Sequence, residues 1–321
     1  MPDPQTYQLH LPCPQPRSRE EFFASTIYGP RLAIGTAAMN NGTPDGIEAL
    51  HAAWSEGFLL TDTSPRYGEA ENLVGGALRT WHGRPPLLAT KCGMENEGKS
   101  WDFTGAALAE RYDRSRRRLG RNVDYLAIHE PDMCPPEHRE SCWSFLHGLL
   151  DRGEIRAVGL GGGGPVAQRQ WFSFAQCLNY VIVHNRLSAV TLQGLVDSIP
   201  LCRQYHTAVW LGSPLMMGLL GNRLDYYRRR IGESTDAHPR VLVQRAGEIE
   251  RLAAQAGLPP PQLALRFALS LTEVDLVVSG AATTQQWADS LAAYRAGPLP
   301  QDLFARVWSV AQQGEEPYYG G

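Results

Sequence analysis

Residues 58–93 read FLLTDTSPRYGEAENLVGGALRTWHGRPPLLATKCG, and they hold one complete structural repeat. FLLTDT (58–63) and LLATKC (87–92) are short, near-continuously apolar runs. That is the pattern of parallel strands covered on both faces. Between them, AENLVGGALRTW spaces its apolar residues for a helix. Strand, helix, strand in this order predicts a βαβ unit.

The same beat runs outward in both directions. RLAIGTA (31–37) precedes the repeat, and VDYLAIHE (123–130), IRAVGLG (155–161), YVIVHN (180–185), AVWLGSP (208–214) and DLVVSGA (275–281) follow it. Helical patterns fill the intervals, among them PDGIEALHAAWSEG, TGAALAERYDRSRRRLG, PEHRESCWSFLHGLLDRG, LVDSIPLCRQYH and TTQQWADSLAAY. The first and third of these stop at Gly57 and Gly153, a usual helix end. Eight strands, each followed by helix, predict an α/β fold of the (β/α)8 TIM-barrel type, with a doubly wound open sheet as its competitor. The 321 residues fit one such domain over 1–321, with an N-terminal extension over 1–30 and a C-terminal tail helix. The long segment 216–240 after the seventh strand falls on the face where active-site loops gather. A lid or cofactor strap and a plain insertion both suit it.

Composition narrows the class. A net charge of −3, from 30 Lys+Arg against 33 Asp+Glu, suggests neither a nucleic-acid footprint nor a basic membrane face. The six cysteines form no CxxC pair, which reads as reduced thiols, and Cys134 with His138 makes no metal site, so no metal is expected. The first residues lack the form of a signal peptide, and no apolar run reaches the ~18 residues of a membrane span. A cytoplasmic enzyme with a small-molecule substrate, monomeric or homo-oligomeric, is the expectation.

On a barrel, chemistry sits at the C-terminal ends of the strands. Those ends bring Asp62, Lys91 and His129 to one mouth, and Tyr67 follows Asp62 by five residues. A tyrosine is a poor acid at neutral pH unless a cation stabilises its phenolate. Lys91 supplies such a cation, Asp62 can orient it, and His129 can hydrogen-bond a substrate oxygen. Singly these residues are ordinary: a strand-end Asp is most often a helix cap, and a buried Lys–Asp pair is as often structural.

TDTSPRYGEAENLVGGAL resembles the signature of the aldo-keto reductases, in which an Asp and a Tyr stand five apart before a glycine and an acid. ATKCG is similar to that family's lysine strand and VDYLAIHEPD to its histidine strand. RGEIRAVGLGG, SPLMMGLLG and VVSGAATTQQWADSL resemble its strand-five segment, its loop after strand seven and its cofactor-binding strand-eight turn. WDFTGAALAERYDRSRRRLGRNVDYLAIHEPD is similar to the aldose 1-dehydrogenase branch, whose members act on fucose, arabinose or galactose. The resemblance implies NAD(P)-dependent interconversion of carbonyl and alcohol, with Asp62, Tyr67, Lys91 and His129 as a catalytic tetrad. It implies cofactor contacts from Gly161, Gly162, Asn185, Ser213, Leu215, Gly218, Gly280, Ala281, Thr283, Gln286 and Asp289. Met39, Arg66, Trp101 and Glu130 are the substrate-side candidates, and Trp101 reads equally as a residue shielding the mouth.

Three departures touch the cofactor. Relatives commonly place a Ser-Asn pair at Gly161 and Gly162 and a glutamine at Val181, and the strand-eight turn has Ala282 near the family's arginine position. Without a cation for a 2′-phosphate, NAD is favoured over NADP unless Arg266 or Arg228–Arg230 reaches in. The run Gly159–Gly164 satisfies GxGxxG, but its mid-chain place and the lack of an acid ~20 residues on argue against a dinucleotide fingerprint. The alternatives to a hydride-transferring enzyme are a redox-neutral enzyme that retains its nicotinamide and a non-catalytic nucleotide-binding barrel.

Overall fold

The computed structural model describes residues 30–40, 45–94, 101–175, 178–231 and 240–313. The expected N-terminal extension, residue 30 apart, and residues 232–239 of the long segment lie outside the described residues.

Eight parallel strands close into a barrel: β1 (Leu32–Gly35), β2 (Leu60–Asp62), β3 (Leu87–Cys92), β4 (Tyr125–His129), β5 (Ala157–Gly161), β6 (Tyr180–His184), β7 (Ala208–Gly212) and β8 (Leu276–Gly280). Each pairs with its neighbours in sequence, and β1 pairs with both β2 and β8, which excludes an open sheet. All eight expected strands are present. Outside them lie helices α1 (Asp45–Ser55), α2 (Ala70–Thr80), α3 (Gly105–Leu119), α4 (Arg139–Asp151), α5 (Pro165–Phe174), α6 (Gln193–Val196) and α7 (Ser198–Gln204). They continue with α8 (Leu224–Arg229), α9 (Arg240–Gln255), α10 (Pro260–Ser270), α11 (Thr284–Arg295) and the tail helix α12 (Gln301–Gln312). Gly57 and Gly153 follow α1 and α4 with φ of 87° and 66°, the left-handed turn that ends a helix. No described helix is long and apolar enough to cross a membrane.

One local departure has a visible cause. LVDSIPLCRQYH, expected as one helix, is divided into α6 and α7 at Asp197, whose carboxylate pairs with Arg186 and accepts from the Ser198 amide. The segment 216–240 after β7 contains α8, in which Arg228 pairs with Asp225 one turn away at 2.9 Å and reaches Glu250 of α9 at 2.8 Å.

Side chains alternate along a strand, so one set packs outward on the helices and the other fills the barrel. The inner set is Ala33, Leu60, Ala89, Tyr125, Ala127, Ala157, Tyr180, Ile182, Ala208, Trp210, Leu276 and Val278. Three aromatics among many alanines pack as a cluster: Tyr180 stacks on Trp210 with centroids 4.1 Å apart, and Tyr125 meets Trp210 edge-on at 5.4 Å. Gly159 makes this possible, because a Cβ there would lie 2.6 Å from the Tyr180 ring. Gly159→Ala is therefore expected to overpack the barrel and cost about 1–3 kcal/mol. A fall in the urea midpoint that Gly159→Ala/Tyr180→Leu largely restores is the outcome to look for; an unchanged single variant would show that the ring has room.

Candidate active site

The same alternation decides what stands at the mouth. Two residues beyond the inward-facing Leu60, Ala89, Ala127 and Ile182 come Asp62, Lys91, His129 and His184. Two beyond Ala33, Trp210 and Val278 come Gly35, Gly212 and Gly280, and Gly161 closes β5. The last inward layer thus sets four polar side chains on β2, β3, β4 and β6 against four glycines on β5, β7, β8 and β1. A Cβ at Gly280 would meet nothing within 4 Å, so the mouth is open at the end of β8, whereas one at Gly35 or Gly212 would press on Val278 or Ile182 at 2.9 or 2.8 Å.

On the polar side, Lys91 Nζ donates to both Asp62 oxygens, at 2.8 and 2.9 Å, and to the Thr63 carbonyl at 2.9 Å. Lys91 and Asp62 are both buried. Burial alone would discharge Lys91, but the Asp62 carboxylate and then Tyr67 outweigh it and hold the ammonium above its ordinary range. For Asp62, burial pushes the carboxyl up against the opposing pull of Lys91. Tyr67, from the loop after β2, lays its ring 4.9 Å from Lys91 Nζ and meets the His129 ring edge-on at 6.0 Å. Lys91 lowers the phenol as expected from the sequence, yet burial raises it more, and the net value lies above 10.0. The phenol is therefore protonated at neutral pH.

His129 is driven well below its ordinary range by burial first and by Lys91, Arg66 and His184 in turn. It is neutral, and its Nδ1 lies 3.1 Å from Ser64 Oγ; that oxygen accepts from the Arg66 amide at 3.1 Å, which leaves the hydroxyl proton free for Nδ1. The sequence reading overlooked Ser64 and His184. Ser64 lies within the TDTSPRY run between the two expected groups, and His184 is found only by counting in twos along β6.

Arg66, Trp101 and Glu130 come together beside Tyr67. Arg66 Nη1 lies 3.4 Å from Glu130 Oε1, and its guanidinium stands 5.7 Å from the Trp101 ring centroid. Arg111 donates to the Gly93 and Asp102 carbonyls at 2.7 and 3.1 Å, which joins the end of β3 to the residue after Trp101. Burial raises the Glu130 carboxyl, with Arg66 the largest opposing influence. Glu130 sits at φ 46° and ψ 68°, a backbone that costs about 1–3 kcal/mol for a non-glycine residue. An ion pair exposed at 41% and 31% returns only about 0–1 kcal/mol. The ion pair alone does not offset that strain. Asn185, Ser213, Met216 and Met217 are likewise left-handed, so most of the positive-φ side-chain-bearing residues gather at the strand ends around the mouth. Met39 is placed differently from its expected role: it is fully buried beneath α1, against Gly46, and presents nothing to the mouth.

The residues expected to meet a cofactor end or follow β5, β6, β7 and β8. Asn185 Oδ1 is buried without a hydrogen-bond partner. Ser213 Oγ accepts from the Met217 amide at 3.0 Å, and the Gly218 amide donates to Leu215 at 3.0 Å. Gly280 and Ala281 end β8, and Thr283 caps α11 through the Gln286 amide at 3.2 Å. Gln286 Oε1 accepts from the Ala282 amide at 2.7 Å, while Asp289 is held by Gln285 at 3.0 Å on the exposed face of α11. The room at Gly161 and Gly162 is already used. A Cβ at Gly161 would lie 3.1 Å from Lys91 Cδ, and one at Gly162, with φ 94°, 3.3 Å from Glu130 Oε2. The Gly164 amide, at the start of α5, is taken by Asp132 at 3.0 Å, where a phosphate would sit in a dinucleotide fingerprint.

Eight strands closing on a mouth of this composition define a (β/α)8-barrel enzyme. Residues 31–312 match the model of the aldo/keto reductase family, and the chain belongs to that family. It is an NAD(P)-dependent oxidoreductase acting between carbonyl and alcohol. The chain is 24% identical over 310 residues to a D-threo-aldose 1-dehydrogenase of Pseudomonas sp, spanning 87% of this chain and 93% of that one. It is 26% identical over 298 residues to an NADH-specific methylglyoxal reductase of Escherichia coli (strain K12), spanning 82% and 89%. Among solved structures it is similar to a glycerol dehydrogenase from Gluconobacter oxydans, with a TM-score of 0.72, 25% identity and coverage of 92% and 96%.

Two outcomes follow from the charges. Lys91→Met leaves the Asp62 carboxylate buried and unpaired, and is expected to cost about 3–5 kcal/mol of unfolding free energy. Asp62→Asn/Lys91→Met should recover most of it, and equal losses in the single and double variants would refute the pairing. His129 is neutral when folded but binds a proton below 6.5 when unfolded. The unfolded chain then holds more protons, so stability falls as pH drops below that value, by at most about 1.4 kcal/mol per unit. Urea midpoints from pH 7 to 5 should show this slope, and His129→Asn should flatten it.

Proposed function

We propose that this barrel interconverts a carbonyl and an alcohol on a small hydroxylated substrate, a sugar or aldehyde, with NAD as the preferred cofactor and the chain over 1–321 acting as one unit. The observation that carries the reading is the make-up of the mouth: Asp62, Lys91 and His129 end the consecutive strands β2, β3 and β4, while β8 ends in the open Gly280 and Asn185, just past β6, keeps an unpartnered buried acceptor. A flat nicotinamide ring fits against glycines, and a carboxamide N–H suits a buried orphan acceptor. When bound, the nicotinamide supplies or accepts the hydride.

The chain's own residues then handle the proton. In reduction, two electrons and one proton arrive as hydride at the carbonyl carbon, and Tyr67 Oη gives the second proton to the oxygen. Lys91 stabilises the phenolate left behind, and Asp62 keeps Lys91 charged and aimed. With Ser64 donating to Nδ1, His129 presents an Nε2–H that donates to the substrate oxygen. Gly161, Gly162, Ser213, Leu215, Gly218, Gly280, Ala281, Thr283 and Gln286 line the cofactor side in this reading.

The preference for NAD rests on where the arginines are spent. Arg266 caps the far end of α11 through the Gly297 and Pro298 carbonyls at 2.9 and 2.8 Å. Arg228 is engaged by Asp225 and Glu250. Arg230 bonds the Tyr226 hydroxyl, so of the arginines that could reach a 2′-phosphate at the turn before α11, three are engaged elsewhere and Arg229 is the one whose removal tests the preference.

Tyr67→Phe should abolish NADH-dependent reduction over a panel of aldoses and aldehydes while leaving the NADH dissociation constant within about threefold, by fluorescence titration. Retained turnover would remove Tyr67 from the chemistry. Tight NADH binding by the wild type without turnover of any substrate would favour the nucleotide-binding barrel, and tighter binding of NADPH would reverse the cofactor assignment.

A further inference from the structure

Glu130 is held at the mouth by three separate features. Its backbone is left-handed at φ 46°, its amide donates to the Gly161 carbonyl at 3.0 Å, and Oε1 faces Arg66 at 3.4 Å. Oε2 lies 3.3 Å from where a Cβ at Gly162 would stand, so a side chain there would press on the carboxylate. Gly162 is itself required by its φ of 94°. Arg66 directly precedes Tyr67 and Glu130 directly follows His129, and each charge reaches across to the other group, Arg66 to His129 and Glu130 to Tyr67. Trp101 backs the guanidinium at 5.7 Å and stacks on Phe103 with an interplanar angle of 7°.

We propose that the Arg66–Glu130 pair is the specificity device of this mouth, selecting uncharged polyhydroxylated substrates and rejecting those that carry a carboxylate, phosphate or ammonium beside the reacting carbonyl. This rests on the reading above that the mouth takes a hydroxylated carbonyl compound. A hydroxyl group both donates and accepts, so neighbouring hydroxyls can donate to Glu130 and accept from Arg66 without breaking the balance of charge. An anion satisfies Arg66 but is repelled by Glu130, and a cation meets the reverse penalty. The second pair at the mouth, Lys91 with Asp62, is also balanced, so no net charge there overrides the selection.

The experiment uses the NAD-saturated protein in a Tyr67→Phe background, so that hydride transfer adds no heat, and isothermal calorimetry with D-galactose, D-galacturonate and D-galactosamine. This parent should bind the neutral sugar at least tenfold more tightly than either charged one. Glu130→Gln should move the galacturonate-to-galactose ratio at least tenfold toward the acid. Arg66→Gln should move the galactosamine-to-galactose ratio toward the amine, and the double variant should lose both biases. Weakening of all three sugars by one common factor in both single variants would overturn the proposal, as would a parent indifferent to charge. Because the readout is binding, a failure of the oxidoreductase reading would show separately, as an absence of NADH oxidation by the wild type with every carbonyl tried.

Discussion

One ion pair organises the mouth of this barrel. Lys91 and Asp62 meet at 2.8 Å, out of water, on adjacent strands. Neither charge could be tolerated alone there, since an unpaired buried ion costs several kcal/mol. Together they fix the β2–β3 edge and place a permanent cation under the Tyr67 ring. The same cation keeps His129 neutral, with burial as the larger cause. Tyr67 and His129 therefore stand beside each other in the protonation states that a proton donor and a neutral hydrogen-bond donor require.

The glycines are the counterpart of that pair. Where β1, β5, β7 and β8 end, the chain gives up side chains, and the space is either left open or used by a neighbour. Gly280 leaves it open; Gly161 yields it to Lys91 and Gly162 to Glu130. These two glycines thus serve the polar groups of the site. Deeper in the barrel, Gly159 makes the same concession to Tyr180.

Much of this was legible in the chain. The eight strands showed as apolar runs because parallel strands are covered on both faces, and the ionisable groups lay at their ends, where a barrel gathers its chemistry. What stayed hidden depends on contacts between distant residues. The break at Asp197 needs Arg186, and the hydrogen bond from Ser64 to His129 spans 65 positions. The burial that lifts the Tyr67 phenol despite Lys91 has no local signature either, nor does the burial of Met39. His184 was readable only once the inward face of β6 was known.

The account turns on Tyr67 delivering its proton as hydride arrives. The direct measurement is single-turnover oxidation of NADH by a small aldehyde, in H2O and D2O, with NADH carrying hydrogen or deuterium at C4. If Tyr67, tuned by Lys91, protonates the oxygen in that step, both isotopes slow the same rate and their effects persist together. A hydride step indifferent to D2O, or one whose two isotope effects fall on separate phases, would contradict it.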